Sequence, residues 1–125
     1  AGGTSWSQVE MYRAPTARLA RVAGAFVDWG IPTSASIRYC RRAAPGIPII
    51  ASGGISDGID VAKAIALGAQ LAGIAGDFLR AADVAGVAGV VELAETITDE
   101  LRVAMFACGA TNINALAQTP LRTVY

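Results

Sequence analysis

Three short stretches of this sequence set glycine beside a hydroxyl or an acid. They are Gly2-Gly3-Thr4-Ser5, Ser52-Gly53-Gly54-Ile55-Ser56-Asp57 and Gly73-Ile74-Ala75-Gly76-Asp77. Glycine lacks a Cβ, so the backbone can turn sharply and bring its N–H groups close to an anion. The middle stretch follows an apolar run of Ile47, Ile49, Ile50 and Ala51, which does not alternate and so reads as a parallel strand covered on both faces. A strand, a glycine turn and a helix N-terminus together form a phosphate-binding arrangement. The same residues also fit a plain tight turn, because short glycine motifs recur by chance. In a (β/α)8 barrel the loops after the seventh and eighth strands share a phosphate, and the third stretch falls where the second of those loops would lie.

The elements that must hold these loops can be read in order. Ser7-Gln8-Val9-Glu10 matches a capping box, with Trp6 before the cap and Met11 set to pack against it. The short helix it opens runs to about Arg13 and is stopped by Pro15. A second helix is expected over Ala17 to Val27, with Leu19, Val22, Ala23 and Phe26 on one side. Trp29-Gly30-Ile31-Pro32-Thr33 breaks the chain, and a third helix runs from about Thr33 to Ala43. After the central strand, Asp57 or Gly58 can cap a helix that Gly68 ends. On that helix Val61, Ala62, Ile65 and Ala66 share a face, with Asp60 and Lys63 at its edge or outside. Leu71 to Ala75 reads as a second short buried strand, and Phe78-Leu79-Arg80 as the start of one helical turn. From about Val87 to Ala107, Leu93, Ile97, Leu101, Ala104, Met105 and Cys108 step at three and four residues, a stripe that packs inward. Gly109 closes this helix, and Thr111 can cap a last one through Ala117.

Composition narrows the function. The 125 residues are 54% hydrophobic and 16% charged, against a usual charged share of about 25%. That balance implies surface covered by something outside this stretch. Net charge is zero and no basic cluster exceeds Arg41-Arg42, so nothing points to nucleic acid. The weakly polar run Val84 to Val91 is too short and glycine-rich to span a bilayer. Cys40 and Cys108 form no disulfide framework, which makes a reducing cytoplasm the expected location. With no histidine, acid–base catalysis and metal ligation by imidazole are excluded within these residues.

Strands alternating with helices indicate an α/β fold with a parallel sheet. Two strands cannot bury both of their own faces, so the expected architecture is the C-terminal portion of a (β/α)8 TIM barrel, incomplete in this chain. The first residue is Ala and opens directly on a glycine loop, which fits a fragment. Residues 1–125 are then expected to be the C-terminal part of a single barrel domain.

Five segments carry a resemblance beyond this logic. Gly2-Gly3-Thr4-Ser5-Trp6, Trp29-Gly30-Ile31-Pro32-Thr33, Ala51-Ser52-Gly53-Gly54-Ile55, Val61 to Ala69 and Leu101 to Phe106 occur in the order found in type 2 isopentenyl-diphosphate isomerases. The sequence resembles the C-terminal part of that FMN-dependent family over nearly its whole length. The resemblance implies an FMN-binding TIM barrel that uses Mg²⁺ and interconverts isopentenyl and dimethylallyl diphosphate in isoprenoid synthesis. NADPH or another reductant would keep the flavin reduced. It further implies that Thr4 contacts FMN, that Gly53, Gly54, Ile55 and Ser56 hold its phosphate, and that Ala75 and Gly76 share it. Two positions depart from the family pattern. Ser56 stands where many relatives have Arg, and Gly76-Asp77 replaces a more apolar pair, which puts an acid beside a phosphate. The family's substrate-binding and Mg²⁺-binding residues lie upstream, so no catalytic or metal residue is expected here. The stretch alone should be inactive, and the intact enzyme is expected to be a homo-oligomer.

Other flavin or phosphate barrels remain as alternatives. A 2-hydroxy-acid oxidase should carry a histidine in the opening loop, and an IMP dehydrogenase a cysteine; Ala1 to Trp6 has neither. Glutamate synthase shares Gly-Gly-Thr but continues differently after it. A non-catalytic truncated product is the remaining alternative.

Overall fold

The computed structural model describes residues 2–122. Its elements are α1 (Trp6–Arg13), α2 (Ala17–Gly24), α3 (Thr33–Ala43), β1 (Ile50–Ser52), α4 (Gly58–Ala66), β2 (Leu71–Gly73), α5 (Gly76–Ala107) and α6 (Ile113–Leu116). β1 and β2 pair in parallel, Ile50 with Leu71, Ala51 with Ala72 and Ser52 with Gly73. The order β1-α4-β2-α5 is that of two consecutive units of a β/α barrel.

The strands are shorter than expected, and the ladder itself supplies the reason. Pro48 has no N–H to donate, so regular pairing cannot extend further back along β1. In its place the Ile49 N–H donates to the Gln70 side chain (2.6 Å), while the Gln70 N–H donates to the Ile49 carbonyl (2.9 Å). At the other end the Gly53 turn removes β2's partner. Among the described residues the sheet is covered on one face only, as expected of an incomplete barrel. Ala51 is buried, whereas Ile50 is 65% exposed and its neighbour Leu71 60%. α3 and α4 cover the Ala51 side only.

α4 is the element on which the packing turns. One cluster joins Ala64 to Ile37, Ala51, Ile55 and Ala69. A second joins Ala62 and Ile65 to Ala110 and Leu116, with Leu101, Ala104 and Met105 packed against it. The expected face was therefore too narrow: Ala64, on the other side, is buried as well. Asp57 caps α4 by accepting from the Asp60 N–H at 2.7 Å, and Gly68 (φ 113) ends it. Arg41 fastens α3 to this end by donating to the Gly68 carbonyl at 2.7 Å.

Five further expectations shift. Ser5, not Ser7, caps α1 and accepts from the Gln8 N–H. Trp6 is the first helical residue and 75% exposed, while the Ser7 hydroxyl donates to the Phe26 carbonyl at 2.7 Å. α2 stops at Gly24, and Ala25 to Trp29 form successive turns with Thr16 as the N-cap. The single turn expected at Phe78 is a longer helix that meets the next at Gly86, whose backbone (φ 60, ψ −143) is not helical. Its stripe is half-buried from Leu93 to Met105, but Cys108 is exposed and donates to the Met105 carbonyl. Finally, Asn112 rather than Thr111 caps α6.

Candidate functional site: a cavity at the ends of the parallel strands

Because β1 and β2 run parallel, the loops that follow them leave the same edge of the sheet. They form one wall of a cavity of about 820 Å³. All seven residues expected at the site line it: Thr4, Gly53, Gly54, Ile55, Ser56, Ala75 and Gly76. The opening loop reaches it by lying directly on the glycine turn. A Cβ built at Gly3 would stand 2.8 Å from the Gly53 Cα, and one at Gly54 would overlap the Gly2 carbonyl oxygen. With φ of 76°, Gly54 is also in the left-handed region that disfavours a side chain. The glycine at this position thus serves a backbone-to-backbone contact as well as the turn.

The cavity offers N–H groups for an anion. Among the described residues, no hydrogen bond is made by the N–H groups of Gly54, Ile55 or Ser56. The first turn of α5 adds the N–H groups of Gly76, Asp77 and Phe78, which have no partner one turn back. Ala75 has no side-chain acceptor to cap them, and the first intrahelical bond is Leu79 to Ala75 at 2.9 Å. The helix dipole adds partial positive charge at the same place.

One part of the expected arrangement is different. The helix that follows the glycine turn does not present its N-terminus to the cavity. α4 is capped by its own Asp57 and by Glu100 from α5, which accepts from the Gly58 N–H at 2.7 Å. Its anion-binding capacity is already used by these two carboxylates. The helix N-terminus that lines the cavity is that of α5.

Three contributors were not singled out from sequence. Arg80 lines the cavity and its guanidinium donates to the Asp77 carboxylate. That pairing answers the concern about an acid beside a phosphate: Asp77 is neutralised by a cation one turn along α5, and the i, i+3 spacing was there to be read. Thr33 and Ser36, from the first turn of α3, also line the cavity. The Thr33 hydroxyl donates to the Gly53 carbonyl at 2.7 Å, a contact between residues 20 apart that no local pattern announces. Among the described residues no three His, Cys, Asp or Glu side chains are grouped to hold a metal ion. No helix among them is long and apolar enough to cross a membrane.

Known proteins are similar to this chain in fold and in sequence. A solved mandelate oxidase variant with a monooxide FMN adduct superposes with a TM-score of 0.70 at 28% identity, covering 92% of this chain and 45% of that one. Isopentenyl-diphosphate delta-isomerase of Xanthobacter autotrophicus is 49% identical over 124 residues, which are 99% of this chain and 36% of that protein. The enzyme of the same name from Rickettsia bellii is 48% identical over 121 residues, 97% of this chain and 35% of that protein. The chain therefore spans about a third of the length of these curated relatives and is homologous to them. A family model described as FMN-dependent dehydrogenase matches residues 23–123, which include both β/α units: the chain belongs to the FMN-dependent dehydrogenase family.

Proposed function

We propose that residues 1–125 supply the phosphate-gripping part of an FMN-dependent isopentenyl-diphosphate isomerase, as the C-terminal part of its single barrel domain. The observation that carries this reading is the convergence on one cavity of the loop after β1, the N-terminus of α5 and the opening glycine loop. The identity of nearly one half to two isomerases supports the choice of reaction within the family.

The residues present fit an FMN phosphate. Gly54, Ile55 and Ser56 offer N–H groups, Gly76 and Asp77 offer those of a helix start, and Arg80 offsets the Asp77 carboxylate that would otherwise repel a phosphate there. Gly53 and Ala75 keep both loops free of bulk, and Thr4 lines the same space. Reduced FMN, when bound, supplies the proton chemistry of the allylic isomerisation without net redox change. The chain's own part is to anchor and orient it. In the same reading Mg²⁺ accompanies the diphosphate substrate, NADPH serves as reductant, and the intact enzyme is a cytoplasmic homo-oligomer; their residues lie outside this stretch.

Turnover decides the reaction. The intact polypeptide, given FMN, NADPH and Mg²⁺, is expected to convert isopentenyl to dimethylallyl diphosphate, whereas residues 1–125 alone give none. Oxidation of a 2-hydroxy acid by the intact polypeptide, without isomerisation, would overturn the reading in favour of a flavin oxidase.

Arg80 provides a more local check. It lies at an exposed edge, where solvent weakens charge pairing. Arg80→Gln is expected to weaken FMN about threefold while leaving riboflavin, which has no phosphate, unchanged. Equal losses for both flavins would remove Arg80 from the phosphate set.

A further inference from the structure

The bond between Thr33 and Gly53 fixes more than the position of α3. The peptide linking Gly53 to Gly54 is trans and planar, so the Gly53 carbonyl and the Gly54 N–H point in opposite directions. The Thr33 hydroxyl holds that carbonyl at 2.7 Å. Rotation of this peptide unit would break the bond and swing the Gly54 N–H with it. No side chain on either flanking residue restricts such rotation, since both are glycines with positive φ (105° and 76°). Thr33 is itself held, as the first residue of α3, and is half-buried. A Cβ built at Gly2 would stand 2.7 Å from its hydroxyl, so the opening loop closes over it.

We infer that Thr33 is a positioning residue for phosphate recognition: by holding the Gly53 carbonyl it sets the direction of the Gly54 N–H and of the free N–H groups after it. Its hydroxyl proton is committed to that carbonyl, so its part is to orient the turn. This rests on the reading that the loop grips a flavin phosphate, and it adds what keeps a two-glycine loop ready to do so. Pre-orientation of a donor is worth most in a loop with many alternatives, because ordering it on binding would otherwise oppose affinity.

The test compares FMN with riboflavin, which differ only in the phosphate. The intact polypeptide, stripped of flavin, is titrated with each by fluorescence, together with Thr33→Val and Thr33→Ser. Valine keeps the shape and removes the hydroxyl; serine keeps the hydroxyl. The unaltered protein is expected to prefer FMN, Thr33→Val to lose about tenfold of that preference with riboflavin affinity unchanged, and Thr33→Ser to retain it. A merely structural tie would lower the melting temperature of Thr33→Val, or weaken both flavins alike, and leave the preference intact. That result overturns the inference while the phosphate reading stands. If Thr33→Val does not fold, loss of preference in folded Thr33→Ser overturns it as well. Absence of any preference in the unaltered protein overturns the phosphate reading, and the inference with it.

Discussion

Gly54→Ala is expected to weaken FMN by about a hundredfold or more in the intact polypeptide, while Ser56→Ala stays within about threefold. The first effect has two sources. A Cβ at Gly54 overlaps the Gly2 carbonyl oxygen, and a φ of 76° is one that alanine adopts only under strain. Either the turn or the opening loop must move, taking with it the N–H groups of Gly54 to Ser56 or the Thr4 hydroxyl. Losing one or two hydrogen bonds to a charged phosphate, each worth about 1.5–3 kcal/mol, corresponds to this range. Ser56 contributes a backbone N–H that alanine retains, and its exposed hydroxyl turns to Asp60 at 3.4 Å. Removing it is a surface change of about 0.5 kcal/mol or less. Flavin fluorescence titration measures both, with circular dichroism to verify the fold. Near-equal affinities would return Gly53-Gly54 to the role of a plain turn.

The largest loss of stability is expected at Gly58, away from the cavity. A Cβ there would overlap the Leu101 nitrogen and the Ile97 carbonyl oxygen and stand 2.6 Å from the Glu100 Cβ. Two of these are backbone atoms of α5, which cannot rotate aside. Gly58→Ala must push α4 and α5 apart, opening the cluster around Ile65 and Leu116 and stretching the bond from the Gly58 N–H to Glu100. Overpacking of this kind costs about 1–3 kcal/mol, and the weakened cap adds to it. Denaturant unfolding is expected to show a total loss of about 3 kcal/mol. Gly46→Ala, where an added Cβ meets nothing within 4 Å, provides the control and should change stability by less than about 0.5 kcal/mol. Equal midpoints for the two variants would mean that the helices tolerate a wider crossing.

Local chemistry made several features legible in the sequence. Thr33–Ala43 forms the helix expected of it, Asp57 caps α4, and the positive φ of Gly68 and Gly109 ends α4 and α5. Each depends on residues within a turn of the feature. The misses share a different property. Ser5 and Ser7 satisfy the same local capping rule, and both take a distant partner, the carbonyls of Val27 and Phe26 respectively. Thr111 and Asn112 are likewise near-equivalent caps by residue type, and Asn112 is the one that accepts from the Ala115 N–H. The break at Gly86 agrees with the helix expected from about Val87, whereas the full length of the helix before it, from Gly76, was not read. At the site, the glycine loops were recognisable, whereas the occupancy of α4's N-terminus by Glu100, 42 residues away in sequence, was not.

The double role of α4 bears on how the molecule comes apart. A helix that supplies Ala64 to one cluster and Ala62 and Ile65 to the other joins both into one cooperative unit, so neither can melt while its neighbour persists. α1 and α2 bury no residue and pack chiefly on each other. They form a separable hairpin, able to open at little cost. The two sides of the cavity therefore belong to different kinetic classes. The glycine turn adjoins the buried clusters, whereas Thr4, one residue before the cap of α1, adjoins a hairpin that buries no residue.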